Sequence, residues 1–162
     1  MFYQTPVGSI QINIAGGFIS GLKFIDREES QTDSAELSAG DKIIFQKCVK
    51  QLDEYFSGNR KIFDLPLQQE GTDFQQKVWK ELIRIPFGKT ITYQQLAQRI
   101  GNVKSIRAAA SANGRNNLWI VVPCHRVIGS DGSLTGYAGG LKRKKWLLDH
   151  ENVHANGVSL LF

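Results

Sequence analysis

The hydrophobic period of the chain changes after its first quarter, and this change limits the folds that it can adopt. In SIQINIAGGFISGLKFID, apolar and polar side chains alternate, and the first three isoleucines share one face. The pair Gly16-Gly17 interrupts the alternation and predicts a hairpin turn before a second strand over 18–24. The chain therefore begins with antiparallel β structure.

Helical spacing replaces the alternation from about residue 41. Apolar residues at every fourth position, beginning at Ile44, predict a helix over 41–57 that ends at Gly58. Cys48 lies on this apolar stripe, where a free cysteine usually acts as a small hydrophobe. The polar residues 27–40 before it predict a loop.

Two capping boxes mark helix starts further along the chain. Gln75 follows Thr72 and Gln95 follows Thr92 at the spacing that satisfies backbone N–H groups at a helix N-terminus. The first of these helices ends at PFG and the second at Gly101. The chain therefore becomes mainly helical after an intervening strand or linker, NRKIFDLPLQQEG.

That linker predicts a domain boundary. We expect a small α/β domain over 1–68 and a mainly helical domain over 69–162. A last helix is predicted over 141–151, and its leucines are expected to face inward: Leu141, Leu147 and Leu148.

The segment SIRAAASAN predicts a short helix that follows the helix beginning at Thr92 and completes a helix-turn-helix. Its outward residues are small apart from one arginine: Arg107, Ala108 and Ser111. Readers of the DNA major groove usually present several long polar side chains. Small residues favour tight helix packing, the simpler interpretation, or close approach to a minor groove.

Composition narrows the class of protein. Of the 162 residues, 41% are hydrophobic and 22% charged, as in soluble globular proteins. No apolar run approaches the roughly 20 residues of a membrane span, and MFYQTPVGSI lacks the features of a secretory signal. We expect a cytoplasmic protein (nuclear in a eukaryote) without membrane contact. Its two cysteines should stay reduced, and with few histidines they do not favour a four-ligand zinc site.

Charge is distributed unevenly along the chain. Residues 1–65 carry seven Lys/Arg against nine Asp/Glu, whereas residues 66–162 carry thirteen against six. A basic second half favours an acidic partner such as nucleic acid. The cluster over 142–145 is explained about equally well as a solvated helix face.

The segment IVVPCHRVIG combines a short β-like apolar run, which ends at its proline, with Cys124 beside His125. A histidine network can lower a thiol pKa to roughly 3.5–7.5 and generate a nucleophilic thiolate. The histidine would need an orienting partner, for which Glu151, Asp131 and Asp149 are candidates. Taken alone, a Cys-His dipeptide is more often accidental, and the thiol could equally be inert or a metal ligand.

A longer pattern is more specific. NGRNNLWIVVPCHRVIGSDGSLTGYAGGLKRKKWLLDHE strongly resembles the active-site region of the O6-alkylguanine-DNA alkyltransferases (methylated-DNA–protein-cysteine methyltransferases). The resemblance continues through FQQKVWKELIRIPFGK, ITYQQLA and GNVKSIRAAASAN, and it covers residues 72–151 densely. It is looser over TPVGSIQI and GLKFID. The resemblance implies a ribonuclease-H-like α/β domain followed by a winged-helix-like domain with a helix-turn-helix.

The resemblance also implies a reaction, in which an alkylated guanine is flipped out of the duplex and its alkyl group moves to the protein. Cys124 matches the acceptor, and His125 would be a water-mediated base held by Glu151. Asn116 would order the turn that carries the thiol, and Tyr93 would donate a proton to guanine N3. The product is a thioether, so each molecule should react once, without a cofactor.

Residues for DNA and for the base follow from the same resemblance. Arg107 matches the arginine that fills the gap left by the flipped base. The DNA-binding set comprises Tyr93, Ser105, Arg107, Ala108, Ser111, Arg115 and Ser130. The substrate pocket is expected to comprise Trp119, Val127, Tyr137 and Ala138.

Several positions depart from the family pattern or carry a different role. Asn117 stands where proline is common, so the Asn116 turn is expected to be less rigid. Trp119 is expected to restrict large O6 substituents, and Ala138 replaces a serine also found there. Arg126 matches an arginine that forms a structural ion pair.

The expected partner is double-stranded DNA that contains alkylated guanine, bound by a monomer. Repair of O4-alkylthymine and cooperative assembly on DNA stay open. Two other classes remain in view. A non-reactive DNA-binding regulator would be indifferent to Cys124→Ser, and a cysteine hydrolase would turn over acyl substrates without DNA.

Overall fold

The computed structural model describes residues 1–26 and 36–157. The chain divides into two compact units, Met1–Gln69 and Glu70–Phe162. The first contains an antiparallel sheet and a helix, and the second is mainly helical, so the predicted mixed α/β class is confirmed.

The first unit follows from the alternating segment. Its three strands, β1 (Phe2–Thr5), β2 (Gly8–Ala15) and β3 (Phe18–Ile25), pair antiparallel in that order, and Gly16 and Gly17 form the predicted hairpin turn with φ of 58° and 85°. Ile10 and Ile12 are buried, and Ile14, beside a register irregularity, is half-buried. The helix of this unit, α1, spans Ala39–Phe56.

Helix α1 begins two residues earlier than predicted because Ser38 caps it, its side chain accepting from the Asp41 N–H. Cys48 is fully buried in the apolar face, as predicted. Of the predicted loop over 27–40, residues 27–35 lie outside the described residues.

In the second unit both predicted capping boxes form. The Thr72 and Thr92 hydroxyls accept from the Gln75 and Gln95 N–H groups, and the glutamine side chains return the bond. The elements are α2 Asp73–Ile83, β4 Ile91–Thr92, α3 Tyr93–Arg99, α4 Ile106–Gly114, β5 Val127–Ile128 and α5 Leu141–Asn156, with 3-10 turns at Val103–Ser105 and Cys124–Arg126. Helices α3 and α4 with the turn between them form the helix-turn-helix.

The predicted β-like run before Cys124 is a turn instead. The Val121 N–H donates to the Trp119 carbonyl at 2.8 Å, closing a γ-turn around Ile120, whose φ of 71° is unusual for a buried β-branched residue. A strand would need extended backbone at Ile120. The strand of this region, β5, forms after the cysteine and pairs parallel with β4.

Helix α5 corrects two predictions about its inward face. Leu147 is fully buried and Leu148 half-buried, but Leu141 is 49% exposed. Lys144, assigned to a solvated cluster, is fully buried. The inward stripe runs through Lys144, Leu147 and Glu151 at helical spacing, and backbone carbonyls accept from the lysine ammonium.

Candidate active site

Cys124 begins the 3-10 turn Cys124–Arg126 and is 4% exposed. The preceding Pro123 has φ −82° and ψ 65°, and the Cys124 N–H donates to the Val122 carbonyl at 2.8 Å. This is an inverse γ-turn, so two tight turns in succession present the thiol.

Asn116 holds this turn together from inside. Its amide Nδ2 donates to the Val122 carbonyl at 2.8 Å, and its Oδ1 accepts from the Leu118 N–H at 3.0 Å. Its side chain also hydrogen-bonds the Cys124 sulfur. One buried side chain therefore joins both sides of the turn to the thiol.

Glu151 is the acidic partner of His125, and this contact selects it from the three candidates. His125 Nε2 lies 2.7 Å from Glu151 Oε1, with both residues fully buried. Asp131 instead accepts from the Ser133 N–H in an exposed turn, and Asp149 pairs with Lys145 at 2.5 Å.

Arg126 completes a buried ionic group. Its Nε donates to Glu151 Oε2 at 2.8 Å and its Nη2 to Oε1 at 2.9 Å, while Nη1 donates to the Ile85 carbonyl at 2.7 Å. The Gly88 N–H also donates to Oε2 at 3.3 Å. A buried carboxylate with this many donors is held in one orientation.

The pKa values describe a resting site with a protonated thiol. Burial raises the pKa of Cys124 to about 11, despite the opposing effects of the Asn116 hydrogen bond and the Lys144 charge. Burial also lowers the pKa of His125, against the attraction of Glu151. Burial would raise the pKa of Glu151, but His125 and Arg126 outweigh it and hold that pKa well below its usual range. The expectation of a lowered thiol pKa is therefore wrong, because burial outweighs the donors.

Lys144 is a site residue that the sequence did not reveal. Its Nζ donates to the carbonyls of Val127 at 2.7 Å and Thr135 at 2.9 Å. The Tyr93 hydroxyl donates to the same Thr135 carbonyl at 3.0 Å, and Nζ lies 5.9 Å from the Tyr93 ring centre. Lys144 belongs to the basic run over 142–145, and such a run gives no sequence signal that one of its members is buried.

A cleft of about 630 Å³ lies beside this group. Its wall includes Tyr93, Arg107, Tyr137 and Ala138, which the sequence had assigned to base or DNA contact. It also includes Asn113, a missed residue whose amide donates to the Cys124 carbonyl at 3.4 Å. The structure thus brings residues from α3, α4 and the segment after β5 to one opening near the thiol.

Two predicted pocket residues do not line this cleft. Val127 is fully buried on β5. Trp119 donates to the Asn116 carbonyl at 2.9 Å and packs 5.7 Å from the Tyr137 ring. Trp119 therefore packs against Tyr137, a residue of the cleft wall, but does not line the cleft itself.

The predicted DNA-binding residues lie mostly on or beside α4. Exposed residues of the set are Arg107, Ala108, Ser111, Arg115 and Ser130. Ser105 is half-buried, and its hydroxyl donates to the Asn102 carbonyl at 2.6 Å.

Over 1–26 and 36–157 there is no cluster of three or more His, Cys, Asp or Glu side chains able to hold a metal ion. Within the same ranges, no helix has the length and apolarity to cross a membrane.

Both parts of the chain match known proteins. Residues 1–69 match the ribonuclease-like domain, and residues 73–153 the DNA-binding domain, of 6-O-methylguanine DNA methyltransferase. A methylated-DNA–protein-cysteine methyltransferase of Methanosarcina barkeri is 46% identical over 93% of this chain and 97% of its own length.

Solved structures are similar over nearly the whole chain. The O6-methylguanine methyltransferase of Mycobacterium tuberculosis superposes with a TM-score of 0.80 at 36% identity, covering 97% of this chain and 94% of that one. The crystal structure of M. tuberculosis OGT in complex with DNA has a TM-score of 0.82 at 40% identity, covering 95% and 92%. The fold and the site define a class of two-domain proteins in which a buried cysteine lies near a helix-turn-helix. The chain belongs to the 6-O-methylguanine DNA methyltransferase family.

Proposed function

We propose that this protein repairs DNA by moving an alkyl group from O6-alkylguanine to its own Cys124. The observation that carries the proposal is the Cys124 turn, held by Asn116 and followed by the buried His125–Glu151 pair, beside a cleft bordered by α4. The M. tuberculosis relative crystallised with DNA and the names of the relatives support the same reaction.

In the proposed reaction the Cys124 sulfur attacks the alkyl carbon, so an S–C bond forms and the C–O6 bond breaks. His125 takes the thiol proton through a water, and Glu151 stabilises the resulting imidazolium. His125 Nδ1 is buried and has no hydrogen-bond partner within the described part of the chain, which suits it to this water. Tyr93 donates a proton to N3, so guanine leaves neutral, and the proton held by His125 then returns to the Tyr93 oxygen through solvent water. The net change moves one proton from the thiol to guanine and leaves a thioether.

Base flipping is the second part of the proposal. Three of the exposed residues of α4 are small, Ala108, Ser111 and Gly114, which suits close approach to a minor groove. Arg107 is exposed on α4 and lines the cleft, so it can fill the space of an extruded base. Arg115, Ser111, Ala108, Ser105 and Ser130 would contact the DNA around it.

The proposal also covers the oligomeric state, the form of the DNA and the cellular location. The protein acts as a monomer on double-stranded DNA, in the cytoplasm or, in a eukaryote, the nucleus. No cofactor enters the proposed reaction, because the thiol and the bound base supply every atom that moves.

Intact-mass measurement tests the reaction. The protein is mixed with a duplex that carries one O6-methylguanine, and the modified residue is then mapped. We expect one methyl group per molecule, on Cys124, saturating at a one-to-one ratio. Cys124→Ser should gain none, whereas the matched control Cys48→Ser, which removes the other thiol, should react as the wild type. An unchanged mass with DNA bound would indicate a non-reactive binder.

A further inference from the structure

Asn113 is a buried side chain on α4 with one polar atom that the described part of the chain does not satisfy. The residue is 4% exposed, and its Oδ1 has no hydrogen-bond partner within residues 1–26 and 36–157. Leaving a buried acceptor without a donor is costly, which favours a partner that a bound substrate supplies. Asn113 also lines the cleft beside Cys124, so a base held there comes within its reach.

We propose that Asn113 is a specificity-determining residue, whose Oδ1 accepts a hydrogen bond from the exocyclic 2-amino group of the flipped O6-alkylguanine. This inference rests on the function proposed above, and it adds the group of the base that the cleft recognises.

The orientation of the Asn113 amide follows from its other contact. The amide nitrogen Nδ2 lies 3.4 Å from the Cys124 carbonyl oxygen, and a carbonyl can only accept a hydrogen bond. The nitrogen must therefore face Cys124, which leaves the amide oxygen as the unsatisfied atom. Asn113 thus offers an acceptor to a ligand, and the ligand must bring a donor.

In DNA only a base can supply that donor, because the phosphates are ionised and an internal deoxyribose has no hydroxyl. Alkylation of O6 removes the proton from guanine N1, so the 2-amino group carries the only N–H bonds of the alkylated base. The amine is next to N3, the atom to which Tyr93 would donate, and both lie on the minor-groove edge of guanine. Tyr93 and Asn113 line the same cleft, so one edge of the base would meet both residues.

The Tyr137 hydroxyl is a second buried atom of the cleft wall that has no hydrogen-bond partner within the described residues. A hydroxyl can donate as well as accept, so it can pair with several positions of a base and does not by itself select one. Asn113 Oδ1 can only accept. Asn113 is therefore the residue that distinguishes a base with the amine from a base without it.

Methyl transfer from two matched oligonucleotides tests the proposal. One carries O6-methylguanine and the other O6-methylhypoxanthine, which lacks only the 2-amino group, and both are single-stranded so that base pairing does not differ. The rate of Cys124 methylation, measured by intact mass at subsaturating DNA, should be about tenfold or more higher with O6-methylguanine. In Asn113→Leu, which keeps a similar volume but removes the acceptor, the two rates should agree within about twofold.

The ratio of the two rates separates recognition of the amine from a structural role. Asn113→Leu also loses the bond to the Cys124 carbonyl, but a disturbed thiol would slow both transfers equally and leave the ratio unchanged. The matched control is Asn59→Leu, the same change at an exposed position of the first unit, which should keep both rates and their ratio.

Each outcome decides the proposal. Equal wild-type rates on the two oligonucleotides would overturn it, and so would a wild-type ratio that is retained in Asn113→Leu. Circular dichroism monitors folding; if Asn113→Leu does not fold, Asn113→Ala takes its place. If the wild-type protein is not methylated by the O6-methylguanine oligonucleotide, the proposed function fails. Fluorescence anisotropy of the same two oligonucleotides with the unreacted wild type then tests Asn113, and equal affinities would contradict its assignment to the amine.

Discussion

His125 Nε2 lies 2.7 Å from Glu151 Oε1 in a region where both residues are fully buried. Burial keeps His125 neutral at rest by lowering its pKa, while Glu151 is held ionised by His125 and Arg126. A neutral imidazole can accept a proton during a reaction when a neighbouring carboxylate stabilises the imidazolium that forms. The pair therefore suits a base that acts only when the thiol gives up its proton.

Removing the carboxylate charge should weaken both the fold and the transfer. Glu151→Gln leaves Arg126 buried without its counterion, so we expect the free energy of unfolding at pH 7 to fall by about 3–5 kcal/mol. The folded pKa of Glu151 lies below its unfolded value of about 4.3, so this stability is fully present above that pH and is lost as the pH falls toward the folded pKa.

Urea unfolding at pH 7 and at about pH 3.5 checks this prediction, and the difference between the variant and the wild type should shrink in acid. Glu81→Gln is the control, since its partner Arg84 is 75% exposed and the pair should contribute less than about 1 kcal/mol. A variant difference that grows in acid would contradict the assignment.

Asn116→Ala should loosen the turn that presents the thiol. The hydrogen bonds of the side-chain amide with the Val122 carbonyl and the Leu118 N–H would be lost, and both partners are buried. We therefore expect the free energy of unfolding to fall by about 1–3 kcal/mol. Loss of the amide near the sulfur should also slow iodoacetamide alkylation of Cys124 at every pH below the pKa of the thiol. Asn117→Ala, next in the chain, serves as the control and should change both quantities less.

Tyr93→Phe separates proton donation from folding. Without the hydroxyl we expect methyl transfer to fall by roughly 10²-fold, because proton donation by a positioned side chain contributes about that much or more. Stability should change little, since Lys144 still donates to the Thr135 carbonyl. Single-turnover kinetics and thermal unfolding check this, with Tyr3→Phe in the first unit as the control. An unchanged rate would remove Tyr93 from the mechanism.

Arg107→Ala should impair extrusion of the base more than the chemistry. We expect slower transfer from an O6-methylguanine paired with cytosine, by about tenfold or more, and a much smaller loss from single-stranded DNA, where little stacking must be broken. Lys80→Ala, an exposed change on α2, is the control. Equal losses on both substrates would mean that Arg107 serves general DNA affinity.

Local signals explain why much of the fold was predictable. The capping boxes at Thr72 and Thr92 form because their partners are three residues away, and the Gly16-Gly17 turn needs only its own backbone freedom. The 39-residue segment over 113–151 identified the family because it is long and specific. The turn at Ile120 was missed because Asn116 hydrogen bonds, rather than the β propensity of Ile-Val-Val, determine that backbone.

The sequence by itself determined the period of the main strands and helices, the helix starts and the neighbouring pair Cys124-His125. Spacing left three candidate partners for His125 and the family resemblance implied Glu151, which the tertiary structure places 2.7 Å from His125 Nε2. Only the tertiary structure decided that Lys144 is buried and that the resting thiol is protonated. These properties depend on burial and on contacts between segments far apart in the chain. Spacing along a sequence does not encode the local dielectric, and it is the dielectric and the arrangement of buried charges that determine a pKa.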